Sequence, residues 1–210
     1  MEPYLTIREN GNYTEIIKKS EFICHLARTE TEQEALDFVA QINNAHKKAT
    51  HNCYAYTLGM NDEIQRASDN GEPSGTAGVP ILDVLKNNHL HNVTAVVTRY
   101  FGGIKLGAGG LIRAYSGTTA RALKEIGIAQ RTVQTAIFLD LPYNLQGKMQ
   151  NYLEENKVNI LGINYGVSVV FEVGVDKSKV TDFCQLITDI FNAKVNYTIG
   201  QESLLDIPVE

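Results

Sequence analysis

"QRASDNGEPSGTAGVPIL" (residues 65–82) and "RYFGGIKLGAGGLIRAYSG" (residues 99–117) decide how this chain is read. Each begins as strand material, breaks into a glycine-rich loop and continues as a helical pattern. In the first, Asn70-Gly71 is turn chemistry and Pro73 holds Glu72 extended. Pro80 is tolerated only near a helix start, so a helix is predicted to begin within 76–79 and to run to about Asn88. In the second, the helix is predicted from about Gly109 to Ile126. Between them "NVTAVVTRYF" (92–101) is β-branched and nearly continuous in apolar character, as a buried central strand requires.

Upstream, "YLTIRE" and "YTEIIKKSEFICHLART" read as a strand meander, with Asn10-Gly11 as the hairpin signal. A helix follows, with Thr31 and Glu34 as a capping box and Leu36, Val39 and Ile42 facing the core. "HNCYAYTLG" and "EIQRAS" are further strands. From residue 132 a second unit runs strand, helix, hairpin around Tyr165-Gly166, helix, strand. That β-α-β-β-α-β order over about seventy residues is the ferredoxin-like pattern. The expected class is therefore α+β, with two domains at 1–131 and 132–210.

Composition is that of an ordinary soluble protein, 43% hydrophobic and 20% charged. Cys24, Cys53 and Cys184 are too few for a disulfide framework and fit a reducing compartment. The first residues carry no signal-peptide core, and no apolar run is long enough to span a membrane. A cytoplasmic location and no membrane partner are expected. The net charge of −5 is uneven. Residues 1–131 hold fourteen basic and fourteen acidic side chains, and residues 132–210 hold five and ten. Within the first part, residues 43–131 carry ten basic against six acidic side chains. The middle of the chain suits an anionic partner, and the acidic second domain suits a protein partner.

No metal site is expected: the Cys and His spacings match no zinc pattern. No nucleophile elbow surrounds Ser68, Ser74 or Ser116. The loop from Gly102 lacks the Lys and Ser/Thr of a phosphate-binding P-loop, and Ile112 breaks the dinucleotide fingerprint. What remains is the physics beneath those motifs: small residues and helix N-termini let backbone N–H groups meet an anion. Arg99, Lys105, Arg113 and Arg121 form an expected basic stripe beside them, with Tyr100 and Phe101 nearby. Lys47, Lys48 and His51 are candidates to join it. Spread cations with aromatics suit a polyanion better than one nucleotide. The candidate phosphate-binding residues are Arg66, Arg99, Lys105, Gly107, Gly109, Arg113 and Arg121. Asp69, Glu72, Ser74 and Thr76 make a second candidate site on the first loop. No catalytic residue and no cofactor are assigned.

"SDNGEPSGTAGVPIL" followed by "VTRYFGGIKLGAGGLIRAYS", with "HNCYAY" upstream, resembles the signature of the IMPACT/YigZ family, also called UPF0029. The resemblance spans about residues 15–125, and residues 135–195 resemble the family's bacterial C-terminal domain. It implies an N-terminal α/β sandwich like the second domain of ribosomal protein S five. It also implies a ferredoxin-like domain like the last domain of elongation factor G. Eukaryotic relatives regulate translation by competing for the activator of a starvation-sensing kinase. They do so with an additional N-terminal module that has no counterpart here, so that mechanism is not carried over. Some bacterial relatives are labelled proline dipeptidases, a label for which this sequence offers no metal ligands. The implied function is a non-enzymatic RNA- or ribosome-binding regulator of translation. The alternative is a small-molecule enzyme that holds a nucleotide or phosphorylated ligand through the glycine loops, with Asp69 or Glu72 as base.

Overall fold

The structure is a computed structural model that describes residues 2–209. It is α+β and divides into two compact units, Tyr4–Gln130 and Arg131–Ile207.

The first unit contains β1 (Tyr4–Ile7), β2 (Gly11–Ile17), β3 (Ser20–Arg28), α1 (Glu32–Ala45), β4 (His51–Leu58), β5 (Ile64–Ser68), α2 (Gly78–Asn87), β6 (Val93–Tyr100) and α3 (Ala108–Ile126). Its sheet is ordered β2-β3-β6-β4-β5, and every neighbouring pair is antiparallel. The continuous apolar run of β6 lies at the centre, as its sequence requires. Val93, Ala95 and Val97 pack with Ile81 and Leu85 of α2 and with Leu111, Ala114 and Tyr115 of α3. On the other face Val96 packs with Val39 and Ile42 of α1. The sheet is thus sandwiched between one helix and two. Burying each Val or Ile of β6 and α2 stabilises the unit by roughly 1.5–3 kcal/mol.

Two local expectations are corrected. Asn10-Gly11 does not turn a hairpin, and β1 is not a sheet neighbour of β2. Instead β1 bridges in parallel to Leu90, and Arg8 N–H donates to the Gly127 carbonyl. Asn10 uses its side-chain oxygen to accept from Arg28 N–H at 2.8 Å. The hairpin is turned by Lys18 and Lys19, which take φ of 46° and 67° between paired Ile17 and Ser20. In α1 the cap is present: Thr31 Oγ1 accepts from Glu34 N–H, and Glu34 accepts from Glu30 N–H. Ala35, not Leu36, faces inward; Leu36 is 44% exposed.

The second unit contains β7 (Ile128–Leu141, which begins in the first unit), α4 (Gln146–Glu155), β8 (Asn159–Tyr165), β9 (Val169–Asp176), α5 (Val180–Ile190) and β10 (Asn196–Val209). In its sheet β7 pairs with β9 and β10, β9 pairs with β8, and β1 also pairs with β7; β7 to β10 with the two intervening helices make a ferredoxin-like βαββαβ domain. Alternate residues of β7 and β9, Ile137, Leu139, Phe171 and Val173, join Met149, Leu153, Phe183 and Ile187 of the helices in its core.

Candidate nucleic-acid interface

The strand registers bring four loops to one end of the first unit. Glu21 pairs with Tyr100, His51 with Arg99, and Tyr54 with Ser68. The Lys18-Lys19 turn, segment 46–50, loop 69–77 and loop 101–107 therefore emerge together. Lys18, Lys19, Lys47, Lys48 and Lys105 are all exposed. Arg113 is exposed on the second turn of α3. The far end of the same sheet carries Glu30, Glu32 and Glu34 at the start of α1 and Asp62 and Glu63 after β4. A unit that is neutral by count thus gathers exposed lysines at one end, beside Glu21, and most of its loop carboxylates at the other.

The two glycine loops play different parts at this basic end. Loop 69–77 is closed on itself. The Asp69 carboxylate accepts from Gly75 N–H at 2.8 Å, Ala77 N–H at 2.9 Å and Gly78 N–H at 2.8 Å. Burial acts to raise the Asp69 pKa, but those three backbone donors outweigh it and hold the carboxyl below its ordinary range. Asp69 occupies the N-terminus of α2, so the donors expected to meet an external anion there are not free. Thr76 is buried and donates to the Pro73 carbonyl at 2.7 Å. Ser74 is exposed at the loop's tip.

Loop 101–107 is open. Phe101 N–H donates to Thr50 Oγ1 at 3.0 Å, and Gly102 N–H donates to Ser20 Oγ at 3.2 Å. Gly102 lies so close to Lys19 that an added Cβ would collide with its carbonyl, so only glycine fits. Gly107, at φ 72°, starts α3, and no side chain caps it. Ala108 and Gly109 are exposed, and a Cβ at Gly109 would approach only the Arg113 guanidinium, at 3.7 Å. The uncapped positive end of α3 is thus exposed, with Lys105 before it and Arg113 one turn into the helix.

Beneath both loops lies a buried polar cluster that the sequence did not reveal. Glu72, only 8% exposed, accepts from Arg99 Nη1 at 2.6 Å and from the Tyr115 hydroxyl at 2.9 Å. His51 Nε2 stands 3.8 Å from its other oxygen, and His51 Nδ1 contacts the Asn70 carbonyl at 2.8 Å. Cys53 donates to the Asp69 carbonyl at 2.9 Å, and burial pushes its thiol up to about 12. Burial, with Cys53 and Glu72 adding to it, raises the Tyr115 phenol. The Cys53 thiol and the Tyr115 phenol therefore stay protonated, and their hydrogen bonds tie loop 69–77 to the sheet and α3.

The expected basic stripe is broken by this arrangement. Arg99 is 5% exposed and its charge is matched by Glu72, so it is no surface contact. Arg121 pairs with Glu15 at 2.7 Å, and Glu15 also accepts from Thr118. Arg66 lies 3.8 Å from Glu32, which belongs to the acidic end. Gly109 lies beside the Arg113 guanidinium, and Lys105 and Gly107 are exposed on the loop that leads into α3. Lys47 and Lys48 lie at the same end of the sheet, following the C-terminus of α1, where they complement its dipole. Lys18 and Lys19 were missed because the turn that carries them was not recognised.

Residues 18–123 match the family described as Impact N-terminal domain, and residues 139–194 match a domain of unknown function, DUF1949. The chain is 45% identical over 206 residues to IMPACT family member YvyE of Bacillus subtilis (strain 168), covering 98% of this chain and 95% of that one. It is 36% identical over 191 residues to IMPACT family member YigZ of Escherichia coli (strain K12), covering 90% and 94%. A solved structure titled as that of a hypothetical protein superposes with a TM-score of 0.60 at 33% identity, covering 94% of this chain and 97% of that one.

Proposed function

The chain belongs to the IMPACT family, and we propose that it acts in translation by holding RNA, free or in the ribosome, on the basic end of its N-terminal domain. The observation that carries this reading is the gathering of exposed Lys18, Lys19, Lys47, Lys48 and Lys105 in the loops at one end of the sheet, with Arg113 exposed near the uncapped start of α3. A phosphate backbone needs several cations spread along a surface, with backbone N–H groups to position it. The reading is non-catalytic because both loop carboxylates are engaged. Asp69 is spent on α2, and Glu72 is buried against Arg99 and Tyr115. Glu72 is buried, and half-buried Asp69 has both oxygens occupied by backbone N–H groups.

The test is a salt titration of RNA binding by the full chain. Six phosphate contacts on a single strand give log K against log salt a slope of about −4, from roughly −0.7 per contact. Lys47→Ala with Lys48→Ala flattens the slope by about 1.4. Arg66→Ala and Arg121→Ala, outside the cluster, leave it unchanged. No RNA or ribosome binding at low salt, or equal loss from Arg66→Ala, overturns the reading.

A further inference from the structure

The basic end also carries an exposed aromatic ring that contacts to phosphate alone would leave unused. Phe101 directly follows β6 and is 47% exposed. Its position is fixed on two sides. The backbone N–H is held by Thr50 Oγ1 at 3.0 Å. The Arg99 guanidinium lies 5.4 Å from the Phe101 ring centroid, and also 5.4 Å from that of fully buried Phe22. Arg99 is itself held by Glu72 at 2.6 Å and by Ser20 Oγ at 3.4 Å. The result is a ring with an anchored backbone, cationic support from the core side, and a large part of its surface in water. The turn and loops around it bear Lys18, Lys19, Lys47, Lys48 and Lys105.

An aromatic platform set among cations is what an unpaired nucleobase recognises. Stacking on the ring buries the base face while the lysines meet the phosphates on either side. Paired bases inside a duplex cannot reach such a platform, and an A-form helix is met through its shape and backbone instead. We propose that the ligand of this end is single-stranded RNA, one base of which stacks on Phe101. The inference rests on the RNA-binding reading above and specifies the state of the strand. It also gives the buried Arg99–Glu72 pair a part in recognition: it sets the ring rather than contacting phosphate.

The experiment compares the full chain with Phe101→Ala, Phe101→Leu and Phe101→Tyr. The probes are a short single-stranded RNA containing 2-aminopurine and the duplex of the same sequence. Thermal unfolding confirms that each variant is folded, and Phe101→Leu retains apolar bulk if Phe101→Ala does not fold. Saturation of the wild type with the single strand is expected to change the 2-aminopurine emission. Phe101→Ala and Phe101→Leu are expected to weaken single-strand binding by about 5- to 100-fold, with little effect on duplex binding. Phe101→Tyr, which keeps a ring, restores both affinity and emission change. The salt slope stays that of the wild type in all three, because no phosphate contact is removed. Wild-type affinity in both Phe101→Ala and Phe101→Leu overturns the stacking inference alone and leaves the exposed ring to a protein contact. A wild-type chain that binds neither probe overturns this inference and the RNA-binding reading together.

Discussion

Arg99 has the same strand parity as Val93, Ala95 and Val97, so β6 delivers its charge to the core face. Folding tolerates that only because Glu72 arrives from loop 69–77 to meet it, with side chains 6% and 4% exposed. Removing one partner of so buried a pair leaves the other uncompensated. Glu72→Gln is therefore expected to destabilise the first unit by about 3–5 kcal/mol, read from urea unfolding. The double variant Glu72→Leu with Arg99→Met restores apolar packing and costs less than Glu72→Gln alone. A double variant less stable than Glu72→Gln would show that packing, not uncompensated charge, dominates the site. The sequence could not place this pair. Parity is visible where polar and apolar residues alternate, and "VTAVVTRY" is too uniformly buried to display it. Glu72 likewise looks like any solvated loop carboxylate until Tyr115 and Arg99 close over it.

At the scale of elements, helix positions were readable because each has local chemistry: the Thr31 cap, Pro80 in the first turn of α2, and the glycines before α3. Leu111, Tyr115, Thr118, Ala122 and Ile126 share one face of α3 by their spacing, and all are buried. The β2–β3 turn was not readable. Asn10-Gly11 is the stronger hairpin signal by composition, yet the strands pair around Lys18-Lys19, where two lysines accept positive φ. The register of seven residue pairs outweighs the small cost of those two conformations. The cap on α2 is testable through pH. Folding lowers the Asp69 pKa from its ordinary 3.8, so the stabilisation is complete above that value and fades as pH falls through the lower folded one. Asp69→Ala is expected to cost about 1–2 kcal/mol at neutral pH. The stability difference between wild type and variant should shrink in the acid range; a difference that persists unchanged at the lowest pH where both fold would exclude the carboxylate as its source.

Across the whole molecule, the order of elements announced two domains, but the way the chain passes between them was hidden. The segment "GIAQRT" looks like a junction because a helical pattern stops there. In the structure it runs into β7, a single strand that starts at Ile128 in one unit and continues to Leu141 in the other. Arg131 lies within that strand, its guanidinium 3.7 Å from Asp206. A protease must draw several residues of backbone out of local structure, which a paired strand resists and a loop permits. Limited trypsin digestion is therefore expected to cut first after Lys47, Lys48 or Lys105, in segments 46–50 and 101–107, and only later after Arg131. Those early sites are also the lysines assigned to RNA. Saturating single-stranded RNA should slow the cuts at Lys47, Lys48 and Lys105 together and leave cleavage at Arg66 unchanged. The measurement is a digestion time course resolved by mass spectrometry, with and without RNA. An initial cut at Arg131 that releases two stable fragments would mean that the junction opens as a flexible linker in solution. Equal protection of Arg66 would mean that RNA slows cleavage without engaging the basic end.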